Sequence, residues 1–124
     1  MRQKILIMDD EQDTLSMLAL TLKFSGFDVV TAESGQKAIA LFSQYQPDAL
    51  ILDVMMPDLT GIEVLKTIKQ QVPEMPPVIF LSASIRTKDQ QAGLEAGAFT
   101  YLVKPVSREK LIETVKAALA SRGR

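Results

Sequence analysis

Reactive side chains stand at the ends of four short apolar runs. The runs cover residues 5–8, 49–52, 78–81 and 100–103, and they end at Asp9-Asp10, Asp53, Ser82 and Lys104 respectively. Three carboxylates brought together would repel one another and hold protons unless a divalent cation neutralised them. A ligand set made only of oxygen suits Mg²⁺ or Mn²⁺. Around one aspartate oxygen, a metal, an ammonium and a hydroxyl would form a phosphoryl-transfer site with the carboxylate as nucleophile.

Each of these residues has an ordinary interpretation when it is considered alone. A strand-end aspartate is more often a turn or helix-cap residue than a nucleophile, and a serine there usually makes a local backbone hydrogen bond. The four groups together favour chemistry, because turn formation gives no reason for four strands to supply matching groups at one edge. We therefore predict Asp53 as the nucleophile, and Asp10 and Asp53 as direct metal ligands.

The apolar runs alternate with stretches that have helical spacing. A fifth run, residues 29–31, predicts a short strand without a reactive side chain. Four of the five intervening stretches place apolar residues three and four apart, at Leu15, Leu18, Ala19 and Leu22, at Ala38, Ile39 and Phe42, at Val64, Leu65 and Ile68, and at Leu111, Ile112, Val115, Ala118 and Leu119. This alternation predicts an α/β fold, a doubly wound parallel sheet with five helices on its two faces. Ligands of such sheets bind at the carboxyl ends of the strands.

Polar residues mark where the helices begin. Thr60 with Glu63, and Thr87 with Gln90, have the spacing of a capping box. Ser34 and Ser107 are predicted to cap the second and fifth helices, and Gly26 to end the first. The fourth helix contains Gly93 and one large apolar residue, so we expect it to be the least firmly packed. The polar end, residues 121–124, is expected to fray.

Composition excludes several classes of function. The 124 residues include no cysteine and no histidine, which excludes thiolate metal sites, disulfides, Ser/His/Asp catalysis and an intrinsic phosphohistidine. A net charge of −1 offers no electrostatic basis for binding nucleic acid or anionic lipid. No apolar run approaches the roughly 20 residues that span a bilayer, and acidic residues 9–11 interrupt the first run, unlike a signal peptide. We expect one domain, residues 1–124, in the cytoplasm.

Four segments carry a resemblance to a known family. Residues 8–11 (MDDE), 50–57 (LILDVMMP), 81–83 (LSA) and 101–105 (YLVKP) resemble the receiver domain of bacterial two-component response regulators, chemotaxis regulators included. The match extends over the whole chain, and the joint pattern is specific although each fragment is weak. The resemblance implies a flavodoxin-like fold with strand order 2-1-3-4-5.

The resemblance also implies a role for each matching residue. Asp53 would accept a phosphoryl group from a sensor histidine kinase or a phosphotransfer protein, and Lys104 and Ser82 would contact that group. Magnesium would be held by Asp10, Asp53 and the backbone carbonyl of Met55, with Asp9 acting through water. Tyr101 would swing inward with Ser82 on activation, and a changed face of the fourth helix, fifth strand and fifth helix would control a downstream protein or a fused output domain. We therefore expect no enzyme activity beyond assistance to the chain's own phosphorylation and slow dephosphorylation. We also expect a monomer or a phosphorylation-dependent homodimer.

Departures from the family pattern affect tuning. Val106 follows the Lys-Pro pair where phenylalanine is common, and Phe99 precedes the tyrosine where small or acidic residues are common; both bear on the packing of the output face. Met55 and Ser84, each two residues beyond a site residue, flank the path of the hydrolytic water. Since Met55 offers water no hydrogen-bond partner, we predict slow loss of phosphate.

Three other functions share parts of this pattern. A magnesium phosphohydrolase of the haloacid dehalogenase type also uses a strand-end aspartate, but its second acid would fall at Met55 and the chain has no room for a cap. A flavin-binding module would need a Ser/Thr/Gly-rich loop after the first strand, where acidic residues stand instead. A degenerate receiver acting only as an interaction module would lack the intact set of Asp10, Asp53, Ser82 and Lys104.

Overall fold

Five strands alternate with five helices in the computed structural model, which describes residues 2–122. The strands are β1 (Lys4–Met8), β2 (Asp28–Ala32), β3 (Ala49–Leu52), β4 (Val78–Ser82) and β5 (Thr100–Val103). The helices are α1 (Gln12–Phe24), α2 (Gly35–Tyr45), α3 (Gly61–Gln71), α4 (Thr87–Glu95) and α5 (Arg108–Arg122). All strands pair in parallel in the order β2-β1-β3-β4-β5. The predicted fold class and strand order are confirmed.

Alternation of side chains along the central strands creates two cores. In β1, Ile5 and Ile7 pack against α1 and α5, whereas Leu6 and Met8 face α2 and α3 on the other side of the sheet. Every residue of β3 and β4 is buried, as expected for parallel strands covered on both faces. The edge strands β2 and β5 are mostly half-buried. The three strands that carry the carboxylates and Ser82 are therefore the most deeply buried.

Most of the predicted helix caps are present. Thr60 and Glu63 form a reciprocal capping box at the start of α3, with hydrogen bonds of 2.9 and 3.1 Å. Ser34 Oγ accepts from the Lys37 amide at 3.1 Å, and Ser107 Oγ accepts from the Lys110 amide at 3.1 Å. Each cap satisfies a backbone amide that has no partner within its helix. The helix starts nearest the strand ends are thus fixed by their own side chains.

The capping box predicted at Thr87 and Gln90 is wrong. Thr87 is already helical, and the residue before it, Arg86, has extended backbone and makes no side-chain cap. Ser84 organises this entrance instead, since its Oγ donates to Asp89 Oδ2 at 2.5 Å and accepts from the Arg86 amide at 3.3 Å. A side chain upstream of the helix has replaced the local cap that the spacing suggested.

The sparse packing predicted for α4 is visible in its burial. Gly93 is the only buried residue of this helix, whereas α1 and α5 bury five each. Gly93 is required there by close approach, because a Cβ atom would lie 2.9 Å from the buried ring of Phe80 and 3.3 Å from Tyr101. The predicted fraying of residues 121–124 lies partly outside the described residues: Ser121 and Arg122 continue α5, and positions 123 and 124 are not described. Between residues 2 and 122, no helix has both the length and the apolar character needed to cross a membrane.

Candidate functional site

Residues from three strand ends meet in an ion-paired cluster at the carboxyl edge of the sheet. Lys104, after β5, places its Nζ 2.6 Å from Asp9 Oδ2 and 2.9 Å from Asp53 Oδ2. Asp9 follows β1 and is 2 % exposed, and Asp53 follows β3 and is 6 % exposed. Charges this deeply buried require a partner. The ammonium group of Lys104 is this partner, and it binds both carboxylates.

The second oxygen of each buried carboxylate binds a backbone amide two residues further along. The Glu11 amide donates to Asp9 Oδ1 at 2.9 Å, and the Met55 amide donates to Asp53 Oδ1 at 3.0 Å. Gly61 closes the loop behind Asp53 by donating its amide to the Val54 carbonyl at 2.9 Å. A Cβ atom at position 61 would lie 2.3 Å from the Asp53 carbonyl oxygen, so only glycine allows this approach.

A third carboxylate joins this pair from the solvent side. Oxygens of Asp9, Asp10 and Asp53 lie within 4.8 Å of one another, and Asp10 is exposed whereas the other two are buried. The sequence prediction that these three carboxylates meet is therefore matched by their positions. The donor set is entirely oxygen and carries more negative charge than one lysine can neutralise, so it fits a hard divalent cation such as Mg²⁺.

Burial and pairing act in opposite directions on the pKa of Asp53. Burial raises the pKa of this carboxyl above its ordinary value, and the bonds from Lys104 and the Met55 amide offset only part of that rise. For Lys104, burial alone would lower the pKa, but the hydrogen bonds to Asp9 and Asp53 outweigh it and leave the pKa raised. The carboxylates hold the lysine charged, yet one lysine does not fully compensate Asp53.

Ser82 and Tyr101 lie on the α4 side of the cluster. Ser82 is fully buried, with its Oγ accepting from the Ser84 amide at 3.3 Å and its carbonyl accepting from the Lys104 amide at 2.8 Å. The half-buried Tyr101 donates its hydroxyl to the Ser84 carbonyl at 3.1 Å. Its ring is tilted by 50° against Phe80, with 6.4 Å between centroids. Tyr101 is thus tied to the β4–α4 loop that begins at Ser82.

Sequence reasoning missed Asp58 and the geometry at Pro105. Asp58 follows Pro57 in the loop after Asp53, where residue spacing predicts no role for it, but its carboxylate accepts hydrogen bonds from the amides of Gly35 and Gln36 at the start of α2. The signal for this contact was the absence of an acidic residue in the first turn of α2.

The Lys104–Pro105 peptide bond is cis. Met55 is largely exposed, with 64 % of its side-chain and backbone surface accessible.

Comparisons with known proteins agree with the fold and the motifs. A family profile described as the response regulator receiver domain matches residues 5–116. The alkaline phosphatase synthesis transcriptional regulatory protein PhoP of Bacillus subtilis is 42 % identical over 119 residues, which cover 96 % of this chain and 49 % of PhoP. The transcriptional regulatory protein PrrA of Mycobacterium tuberculosis is 42 % identical over 120 residues, covering 97 % of this chain and 51 % of PrrA. The chain thus spans about half the length of these curated relatives.

A solved structure extends this likeness to three dimensions. The chemotaxis protein CheY4 of Vibrio cholerae superposes with a TM-score of 0.90 at 32 % identity, covering 95 % of this chain and 99 % of that one. A likeness this close over nearly the full length of both chains shows the same arrangement of strands and helices.

Proposed function

The chain belongs to the response regulator receiver domain family, and from that membership we propose that it is a signalling switch that accepts a phosphoryl group on Asp53. The donor would be a sensor histidine kinase or a phosphotransfer protein. One observation carries the proposal: Lys104 bridges Asp9 and Asp53 at 2.6 and 2.9 Å, so a nucleophile and a cation meet at the edge where ligands bind. We propose residues 1–124 as one phosphoacceptor domain.

The carboxylates of Asp10 and Asp53 would hold Mg²⁺ directly, with the Met55 carbonyl as a further ligand and Asp9 acting through water. Mn²⁺ fits the same oxygen set. When bound, the ion would neutralise negative charge on the phosphoryl oxygens as it is transferred. The surplus of negative charge at Asp9, Asp10 and Asp53 supports this assignment.

Asp53, Lys104 and Ser82 would each have a separate role in the proposed phosphoryl transfer. An Asp53 carboxylate oxygen attacks phosphorus and forms a P–O bond, while the bond from phosphorus to the donor atom breaks and its electron pair leaves with the donor. Lys104 would move from its bond with Asp53 to the incoming phosphoryl oxygens, remaining anchored to Asp9. The Ser82 hydroxyl would donate a hydrogen bond to another of those oxygens. The burial of both aspartates keeps competing water away from the reacting face.

The output would follow from Ser82 and Tyr101. A phosphoryl group adds about −1.5 to −2 of charge, and Ser82 must shift toward it to donate. The Tyr101 hydroxyl is bonded to the Ser84 carbonyl, so movement of the loop beginning at Ser82 would reach Tyr101 and the loosely packed α4. We propose that the face of α4, β5 and α5 then controls a downstream protein or a fused output domain, in a monomer or a phosphorylation-dependent homodimer. A cytoplasmic location stays a prediction.

Labelling with acetyl phosphate tests the proposed function. With Mg²⁺, intact-protein mass spectrometry should show one added phosphoryl group, and a chelator should prevent it. An aspartyl phosphate is an acyl phosphate, so hydroxylamine should remove the label, whereas a serine ester would survive. No labelling in Mg²⁺, or a label that resists hydroxylamine, would contradict the proposal and favour a degenerate interaction module. Nothing observed favours the phosphohydrolase or flavin-binding alternatives.

Met55→Asn should accelerate the loss of phosphate from Asp53. Met55 is largely exposed beside the acceptor and its thioether is a poor hydrogen-bond partner, whereas an amide could hold and orient the attacking water. We expect the half-life of the phosphorylated protein to fall by about 3- to 10-fold, within the range of general positioning effects. The measurement is the decay of the phosphorylated mass after removal of acetyl phosphate. Met55→Leu is the matched control and should decay like the parent protein, and equal decay of all three proteins would remove the water-path explanation.

A further inference from the structure

We propose that Asp58 is a positioning residue for phosphoryl transfer, which holds the loop between Asp53 and α3 against the start of α2 and thereby keeps the Met55 peptide aligned with Asp53. The inference rests on the proposed function of Asp53. Asp58 itself lies outside the cluster formed by Asp9, Asp53 and Lys104, and it would act through the loop.

Two hydrogen bonds join Asp58 to α2. The Gly35 amide donates to Asp58 Oδ1 at 3.0 Å and the Gln36 amide donates to Asp58 Oδ2 at 3.0 Å. Each carboxylate oxygen therefore has its own backbone donor, 22 or 23 residues away in sequence. These bonds lower the pKa of Asp58, so the carboxylate is charged at neutral pH. A two-point contact of this kind fixes both the position and the orientation of the loop.

The start of α2 is incomplete without Asp58. Ser34 satisfies only the Lys37 amide, and the first turn of the helix contains no acidic residue of its own. The amides of Gly35 and Gln36 would otherwise have no protein partner at a helix end that favours negative charge. The contact is therefore favourable for both elements, and each restrains the other.

Backbone hydrogen bonds fix the loop between Asp53 and α3 only at its two ends. At one end the Asp53 amide donates to the Met8 carbonyl at 3.1 Å, and at the other the Gly61 amide donates to the Val54 carbonyl at 2.9 Å. Between them, Pro57 has no amide to donate. Leu59 adds an apolar contact, since a Cβ atom at Gly35 would lie 2.8 Å from Leu59 Cβ. Asp58 is the charged anchor of the middle of this loop.

The loop bears on chemistry through Met55. Its amide donates to Asp53 Oδ1 at 3.0 Å, which sets the rotation of the nucleophilic carboxylate, while Lys104 binds the other oxygen at 2.9 Å. Releasing the loop at Asp58 would leave the Val54–Met55 peptide held only through the bond from Gly61 to its carbonyl, which would weaken the first of these two restraints. Groups that orient a metal ligand from outside typically change metal affinity by about 10- to 100-fold when they are removed.

Hydrogen exchange in the metal-free protein tests the positioning role without any phosphodonor. In Asp58→Ala, the Met55 amide proton should exchange faster than in the parent protein, as measured by NMR, and Asp58→Asn should give an intermediate value because one acceptor oxygen remains. Ser34→Ala is the matched control, since it removes an amide partner from the same helix end without touching the loop. It should speed exchange in α2 and leave Met55 unchanged.

A second measurement uses Mg²⁺ itself. Calorimetric titration with MgCl₂, under conditions where far-UV circular dichroism shows each variant folded, should give an affinity about 10-fold weaker for Asp58→Ala than for Ser34→Ala. If Asp58→Ala and Ser34→Ala match in both Met55 exchange and Mg²⁺ affinity, Asp58 is only a helix cap and the inference is overturned. If the parent protein takes no label from acetyl phosphate but the exchange result holds, the proposed function fails and the loop restraint stands.

Discussion

Asp53→Asn should abolish labelling by acetyl phosphate in the presence of Mg²⁺. Asparagine keeps the size of the side chain and an acceptor at Oδ1 for the Met55 amide, while Lys104 keeps Asp9 as its partner, but the amide is not a nucleophile. Intact mass should therefore change from one added phosphoryl group in the parent protein to none. Asp28→Asn is the matched control, because Asp28 is an exposed carboxylate at the opposite end of a strand, in β2. It should be labelled like the parent, and persistent labelling of Asp53→Asn would place the acceptor elsewhere.

The same substitution should stabilise the protein in a chelator at neutral pH. Because burial raises the pKa of Asp53, the folded state binds more protons than the unfolded state between the ordinary pKa and the raised one. Parent stability therefore falls as pH rises through that window, and the neutral asparagine avoids this loss. We expect an increase in the free energy of unfolding, measured by urea denaturation. The gain should shrink when Mg²⁺ is added, because the ion binds only the parent's charged form well.

Lys104→Met should destabilise the metal-free protein strongly. Methionine keeps most of the length of the side chain and removes the charge, which leaves Asp9 and Asp53 facing each other without the cation that now binds both. Removing one member of a buried ion pair costs about 3–5 kcal/mol, and because the Lys104 side chain is 18 % exposed we expect about 2–3 kcal/mol. Far-UV circular dichroism in urea is the appropriate measurement, since the chain has no tryptophan.

Magnesium should recover much of the stability lost by Lys104→Met. The ion would supply positive charge to the same carboxylates and would bind the folded state alone, so its effect grows with concentration. Lys110→Met on the exposed face of α5 is the matched control and should stay within about 0.5 kcal/mol of the parent. In the double variant Lys104→Met/Asp53→Asn the loss should be smaller than in Lys104→Met, because only one buried carboxylate remains. A Lys104→Met protein as stable as the parent in chelator would contradict the proposed electrostatic role.

The sequence predicted which strand ends form this site more completely than which side chains bind one another there. Apolar runs that end in charged residues located the strand ends, because a parallel sheet covered on both faces leaves little freedom in where such runs lie. Periodicity could not show that one ammonium binds both Asp9 and Asp53, since that depends on how β5 is placed beside β4. The identity of Lys104 was visible in the sequence, but its two partners were not.

Rules based on local spacing succeeded where no other side chain competes for the helix start, and they failed where one does or where the partners are distant in sequence. Thr60 and Glu63 form their capping box because both members belong to one helix turn. Thr87 has the same spacing with Gln90, but Ser84 and Asp89 supply a competing set of hydrogen bonds at that helix entrance. Asp58 was missed because its partners come from α2, and only the lack of an acid in that helix hinted at an external carboxylate.

The bond between Lys104 and Asp9 joins residues 95 positions apart, nearly the two ends of the domain. During synthesis, Asp9 and Asp53 leave the ribosome long before Lys104 does, so a growing chain holds the carboxylates without their cation. The cluster is complete only when β5 joins the sheet, because Lys104 follows that strand. On the proposed function, a growing chain that lacks β5 would therefore not compete with the finished protein for its phosphodonor.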